Sequence, residues 1–327
     1  MSTNANNGFV DLNDGVGLRK DSILSAKSVW FSGWGASLGN IIAHPAALFL
    51  LACSFALIAL NGFGEDAAIG DKLGKNEKVS TNWVVANSIA GDEFQNQFRV
   101  DNVVRLSQNE REQDFKSSTV FYDDLVFDFV GDNGEIVVYS FTEKKFALLD
   151  PLRRLRTELD LDEIERFLER IRPILREKND KFVNFMLKPD FEVSQKENEF
   201  FFQSKFIDYH IATRVIDDPK VAEAYFLFTN ALGKLNVYMN PGSVTPFARL
   251  EANKQLQDDA RFPEKIVTDV YPKGKTIFTK TVHITNEATL VWRLSERDKN
   301  RVNRTIHFFA QFPTVNFQTY FEKTADR

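Results

Sequence analysis

Hydrophobic and polar positions alternate most regularly between residues 118 and 150. Leu125, Phe127 and Phe129 form one register and Val126, Asp128 and Val130 the other. The turn sequence Gly131-Asp132-Asn133-Gly134 follows, then Ile136, Val138 and Ser140 alternate with Val137, Tyr139 and Phe141. Period-2 alternation on both sides of a Gly/Asn/Asp turn predicts a β-hairpin. A second turn at Thr142-Glu143-Lys144 leads into Lys145-Phe146-Ala147-Leu148-Leu149, which makes a three-stranded antiparallel meander.

The period then changes. Leu161, Ile164, Leu168, Ile171 and Leu175 recur at helical spacing. Asp160 and Glu163 stand at capping-box distance, and Pro173 should kink or end the helix near Arg172. Strands are predicted at 191–195 and 200–207 around Lys196-Glu197-Asn198-Glu199, with 208–215 extending or bending the second. A long helix over 219–239 carries Val221, Tyr225, Phe228, Leu232 and Leu235 on one face and stops at Pro241-Gly242-Ser243. A shorter helix covers 247–258. Strands return at 264–271, 275–285 and 288–294, and Ser295 with Asp298 caps a last helix bearing Val302, Ile306 and Phe309. Antiparallel strands with inserted helices define an α+β fold.

A different pattern precedes this region. Ile41 to Leu60, centred near Leu50, is a 20-residue run without Asp, Glu, Lys or Arg. At ~1.5 Å per residue a helix there would span ~30 Å, the hydrocarbon thickness of a bilayer. Trp30, Phe31 and Trp34 precede it and suit an interfacial aromatic belt. The expected organisation is a partly disordered cytoplasmic tail over 1–40, a transmembrane helix over 41–62, a linker over 63–80 and an α+β domain over 81–327. The 40 residues before the run, with Arg19, Lys20 and Lys27 balanced by Asp11, Asp14 and Asp21, argue against a cleavable signal and for an uncleaved anchor. The flanking charges do not fix orientation. The expected placement is a bacterial inner membrane with the C-terminal domain on the periplasmic side, because a large part after one early anchor is commonly exported.

Composition narrows function by exclusion. The chain has 327 residues and net charge −5, so no nucleic-acid surface is expected. Cys53 is the single cysteine and only four His occur, which excludes a disulfide within the chain and a cysteine zinc cage. Neither a metal nor a cofactor is expected. Nucleophile-elbow, Walker, zincin and dinucleotide motifs are missing from the sequence. Asp208 with His210 on one strand, Asp217 and His283 are the groups an enzyme would have to gather. Asp123-Asp124 and Asp217-Asp218 read as turn and cap residues. Arg153-Arg154-Leu155-Arg156, followed by Glu158, Asp160, Asp162 and Glu163, reads as a charge-paired loop.

Phenylalanine is in excess: 31 residues against 7 Tyr and 4 Trp, and only five of them precede residue 65. Phe200, Phe202 and Phe206 take one register of their strand, and Phe201, Ile207 and Tyr209 the other. The segment GEIVVYSFTEKKFALLDP (134–151) resembles the hairpins of LolA-like lipoprotein carriers. That resemblance implies a curved antiparallel sheet around an apolar hollow plugged by helices. The long insert at 216–262 departs from a minimal domain of that kind. The segment from Ala224 to Leu256 is similar to a stretch of single-pass bacterial membrane proteins of no assigned activity. The expectation is a non-enzymatic, membrane-anchored envelope protein. It would bind a lipid or a lipoprotein acyl chain in a pocket lined by Phe127, Phe129, Val138, Phe146, Phe202 and Phe206. The alternatives are a scaffold that recruits another envelope protein, and an enzyme of unrecognised type.

Overall fold

The computed structural model describes residues 83–84, 97–108, 111–131, 134–240, 245–275 and 282–325. The apolar run 41–60, its flanking Trp30 and Trp34, and the boundaries expected at 40, 62 and 80 lie outside the described residues. No helix among those described is long and apolar enough to cross a membrane.

Eleven strands form one curved, fully antiparallel sheet. They are β1 (Phe98–Gln108), β2 (Arg111–Tyr122), β3 (Leu125–Val130), β4 (Ile136–Ser140), β5 (Lys145–Asp150), β6 (Leu155–Asp160), β7 (Glu192–Lys196), β8 (Glu199–Gln203), β9 (Ile207–Val215), β10 (Arg261–Val270) and β11 (Val282–Val291). Their spatial order is β6-β5-β4-β3-β2-β1-β11-β10-β9-β8-β7. Each half is therefore a run of sequence neighbours, and the two halves join where β1 pairs β11, from Arg99↔Val291 to Ser107↔His283.

Among the described residues six named helices accompany the sheet: α1 (Leu161–Glu177), α2 (Lys181–Leu187), α3 (Pro219–Met239), α4 (Phe247–Asp258), α5 (Glu296–Gln311) and α6 (Phe317–Ala325). Helix α3 buries 14 of its 21 residues, so it is a central element wrapped on several sides. One of its sides meets the inner face of the sheet. Another meets α1 through Val237 against Leu168 and Ile171. Helix α5 lies on the outer face, where Val302, Phe309 and Phe312 pack on Val120, Leu125, Phe127, Phe129, Ile136, Val138, Ala147 and Leu149. The meander β3–β5 is thus covered on both faces, which is why both of its registers are apolar.

The predicted meander, the helix at 219–239, the helix at 247–258 and the Ser295–Asp298 capping box are all present. Five expectations differ. Pro173 lies inside α1, which runs on to Glu177, and Asp160 makes no side-chain cap bond; its carboxylate instead lies 3.6 Å from Lys145. Residues 155–160 are strand β6 rather than a loop. Strands 200–207 and 208–215 are separate antiparallel neighbours, so Phe202 opposes Tyr209 and Phe200 opposes Ile211, and all four side chains share one face. The break expected between 285 and 288 does not occur, because β11 continues through Asn286 and Glu287 to pair with both β1 and β10.

The two sheet edges are treated differently. The backbone of β6 is bridged by the C-terminal segment: the Arg156 N–H donates to the Pro313 carbonyl (3.1 Å) and the Val315 N–H to that of Arg156 (2.9 Å). All five residues of β7 are exposed at the opposite edge.

Candidate functional site

The region with the potential to hold a ligand is the interior between the inner sheet face and α3–α4. The strands supply Phe98, Phe121, Tyr139, Phe146, Phe200, Phe202, Tyr209 and Phe262, and the helices supply Tyr225, Phe226 and Phe228. These rings pack against each other. Phe98 stacks on Phe121 at 4.1 Å, Phe228 meets Phe121 edge-on at 5.9 Å, and Tyr225 tilts against Phe262 at 4.9 Å. Such pairs each add roughly 0.5–1.5 kcal/mol beyond area burial.

One seam of this face is polar. Asn102, Ser117, Thr119, Asp128 and Asn286 are all buried on β1, β2, β3 and β11. Thr119 opposes Asp128 across β2–β3 and donates to its Oδ1 at 2.7 Å. Tyr225, Phe228, Thr229 and Leu232 of α3 roof a cavity of about 20 Å³ over Asn102, Thr119, Asp128 and Asn286. That volume suits a single water. Among the described residues Asp128 Oδ2 and Asn286 Oδ1 have no hydrogen-bond partner. Burial pushes the Asp128 carboxyl up to about 6, against the opposing effects of Thr119 and of Arg301.

The six residues expected to line a pocket do not share a chamber. Phe127, Phe129 and Val138 lie in the outer cluster under α5. Phe146 and Phe202 belong to the inner cluster, and Phe206 is a half-buried neighbour of it that touches Phe182 (5.9 Å) and Phe185 (5.5 Å). Alternation assigned Phe127 and Phe129 to one face correctly. It could not say which face, because Val126 and Val130 are apolar too. The inner face of β3 carries Val126, Asp128 and Val130 instead. Asp128 was visible as the single charge in an otherwise apolar strand. Glu135 and Tyr320, which bond each other in the core, gave no sequence signal because they are 185 positions apart.

The ionisable groups considered for catalysis sit elsewhere. Asp208 opposes Asp269 across β9–β10, and Asp269 opposes His283 across β10–β11 with its carboxylate 2.8 Å from Nδ1. This row lies on the solvent-facing side of the sheet, where Lys275 also pairs with Asp208 at 2.7 Å. His210 stacks on Phe201 (4.5 Å) with Nε2 3.4 Å from Glu199. Asp217 stands in the β9–α3 connection. Asp124 accepts from Ser140 and Thr142, and Asp218 caps α3. Arg153 pairs with Asp150 at 2.7 Å, and Arg156 lies over the Phe309 ring at 3.8 Å. Among the described residues no three His, Cys, Asp or Glu converge as a metal site.

No protein-family model and no curated protein sequence matches the chain. Two solved structures are similar at a low level. A LolA superfamily protein from Nitrosomonas europaea has TM-score 0.22 and 9% identity over 67% of this chain and 96% of that one. PNGF-II has TM-score 0.26 and 8% identity over 70% of this chain, which spans about a third (33%) of PNGF-II's length. The likeness to the LolA superfamily is weak, and at these TM-scores neither match bears on fold or activity.

Proposed function

We propose that the chain is a membrane-tethered, non-enzymatic binding module whose ligand is apolar and occupies the inner sheet face in place of α3. The observation that carries this reading is the nature of the α3 cover. Its polar bonds near the C-terminal end run away from the sheet, from Lys234 to Glu165 (2.5 Å) and from Tyr238 to Glu163 (3.3 Å) on α1. Towards the sheet it presents Tyr225, Phe228, Thr229 and Leu232, and the polar seam beneath leaves Asp128 Oδ2 and Asn286 Oδ1 without a hydrogen-bond partner among the described residues. A helix held by apolar side chains over a partly unsatisfied seam is the part an acyl chain can replace, because hydrocarbon substitutes for hydrocarbon.

The test is binding of a fluorescent fatty acid to the full chain in detergent, with hydrogen exchange followed in α3. Saturable binding that increases exchange in α3 supports the reading, and no binding over the concentration range of known carriers sinks it. A second reading, a membrane-tethered scaffold, is favoured by the ring-filled interior with its cavity of only about 20 Å³. It expects a stable protein complex in a detergent pull-down and no effect of fatty acid.

A further inference from the structure

Helix α5 and the residues just before it concentrate positive charge in a chain whose net charge is −5. Residues 292–304 hold Arg293, Arg297, Lys299, Arg301 and Arg304 against two acids, Glu296 and Asp298. Both acids are engaged. Asp298 is buried, accepts from Ser295 and pairs with Arg99 at 2.7 Å, while Glu296 pairs with Lys299 at 3.1 Å. Among the described residues no carboxylate pairs with Arg293, Arg297 or Arg304. Arg297, Asn300, Arg301 and Arg304 follow at helical steps of three, one and three, so they share one face of α5. Arg301 lies over the Phe129 ring at 3.9 Å. Trp292, which precedes the helix and is followed by Arg293, is 49% exposed. A half-exposed Trp next to Arg is the pairing that favours a bilayer interface, where the ring sits at headgroup depth and the cation meets phosphate.

We propose that the Arg297–Arg304 face of α5, with Trp292 preceding the helix, docks on an anionic lipid bilayer. Where the chain enters the domain fixes the choice of partner. Trp83 packs edge-on against Phe309 of the same helix at 5.4 Å and donates to Glu158 at 2.9 Å. Residues 61–82 separate it from the apolar run ending at Leu60. Fully extended they reach no more than roughly 75 Å, so a bilayer holding that run lies within reach of this surface. The proposal rests on reading 41–60 as the anchor. It adds an orientation: α5 towards the membrane and the β7 edge away from it. Removing one arginine from such a contact should weaken it roughly fivefold at low salt, and salt should screen what remains.

The test uses the full chain with Cys53→Ser and Asn300→Cys, labelled with a fluorophore and reconstituted into phosphatidylcholine bilayers with or without phosphatidylglycerol. The quencher is a headgroup nitroxide lipid, and a label at Ser194→Cys on β7 is the reference. The expected result is quenching at position 300 but not at 194, present with phosphatidylglycerol, weak without it, and reduced by salt and by Arg297→Gln or Arg304→Gln. Equal quenching in both bilayers, or none, in a chain that stays membrane-bound overturns the docking surface alone. A chain that washes off both bilayers overturns the anchor and this proposal together.

Discussion

The most informative perturbation is Glu135→Gln. Glu135 lies just before β4 in the core and accepts a short hydrogen bond from the Tyr320 hydroxyl of α6. Arg153 donates to the Tyr320 carbonyl at 3.1 Å, stands over its ring at 5.1 Å and pairs with Asp150. Burial is the largest influence on the Glu135 carboxyl and raises it from 4.5 to about 7, with Asp150 adding to the rise and Tyr320 and Arg153 opposing it. The folded value lies above the unfolded one, so the stability this group contributes is fully present below about pH 4.5. It is lost as the pH rises through about 7. A displacement of that size corresponds to roughly 3 kcal/mol. Gln keeps an acceptor for Tyr320 but cannot ionise. Urea unfolding of the full chain in detergent, at about pH 5 and about pH 8, measures the effect as a difference between variant and parent. The variant should be more stable than the parent by roughly 3 kcal/mol at the higher pH and nearly equal at the lower. If the parent and Glu135→Gln lose the same stability between those pH values, Glu135 is not a desolvated carboxylate and the reasoning fails.

Asp128→Asn retains an acceptor for Thr119 and removes a buried charge. It should raise stability above about pH 6 by up to roughly 3 kcal/mol, read from denaturant midpoints, and leave it unchanged near pH 4. Phe228→Ala empties a 1%-exposed site that touches Phe121 and Tyr139, and should lower stability by roughly 3–5 kcal/mol; under the ligand-binding reading it should also increase fatty-acid uptake, and a loss of uptake would count against that reading. Ser295→Ala removes the cap of α5 and should destabilise by roughly 1 kcal/mol, with faster amide exchange confined to the first turn. Gly70→Cys in a Cys53→Ser background should react with an impermeant thiol reagent on the outer side of intact cells, and protection there would reverse the orientation expected from the sequence.

The strands that proved easiest to read are those with local partners. Leu125 to Leu149 announces itself because each strand pairs with the next through a connection of four or five residues, and the turn residues are explicit. Strand β1 was not recognised, since FRVDNVVRLSQ alternates imperfectly and owes half of its pairing to β11, far along the sequence. Strand β6 was masked by charge. Arg156 and Glu158 look solvated in sequence, yet Arg156 is buried over Phe309 and Glu158 receives the Trp83 indole. Helix α1 continues past Pro173, and the turn before it is held by Leu168 and Ile171 packing on Val237 of α3, a contact between residues far apart in the sequence. The interior is only partly legible, for a simpler reason. Counting phenylalanines gives the quantity of ring surface, but whether rings meet each other or a guest depends on where α3 lies. That position is set by contacts between residues 219–239 and strand residues as distant in the chain as Phe121 and Tyr139.

The pairing of β1 with β11 has a temporal meaning. Strands β1 to β6 close by successive short connections, and β7 to β11 form a second ladder around the α3–α4 insert. The seam between the ladders joins residues 98–108 to residues 282–291. A ribosome must therefore deliver nearly the whole chain before the sheet can be joined, and until then β1 presents a long unsatisfied edge. Such distant pairings are the slow, exposed steps of assembly.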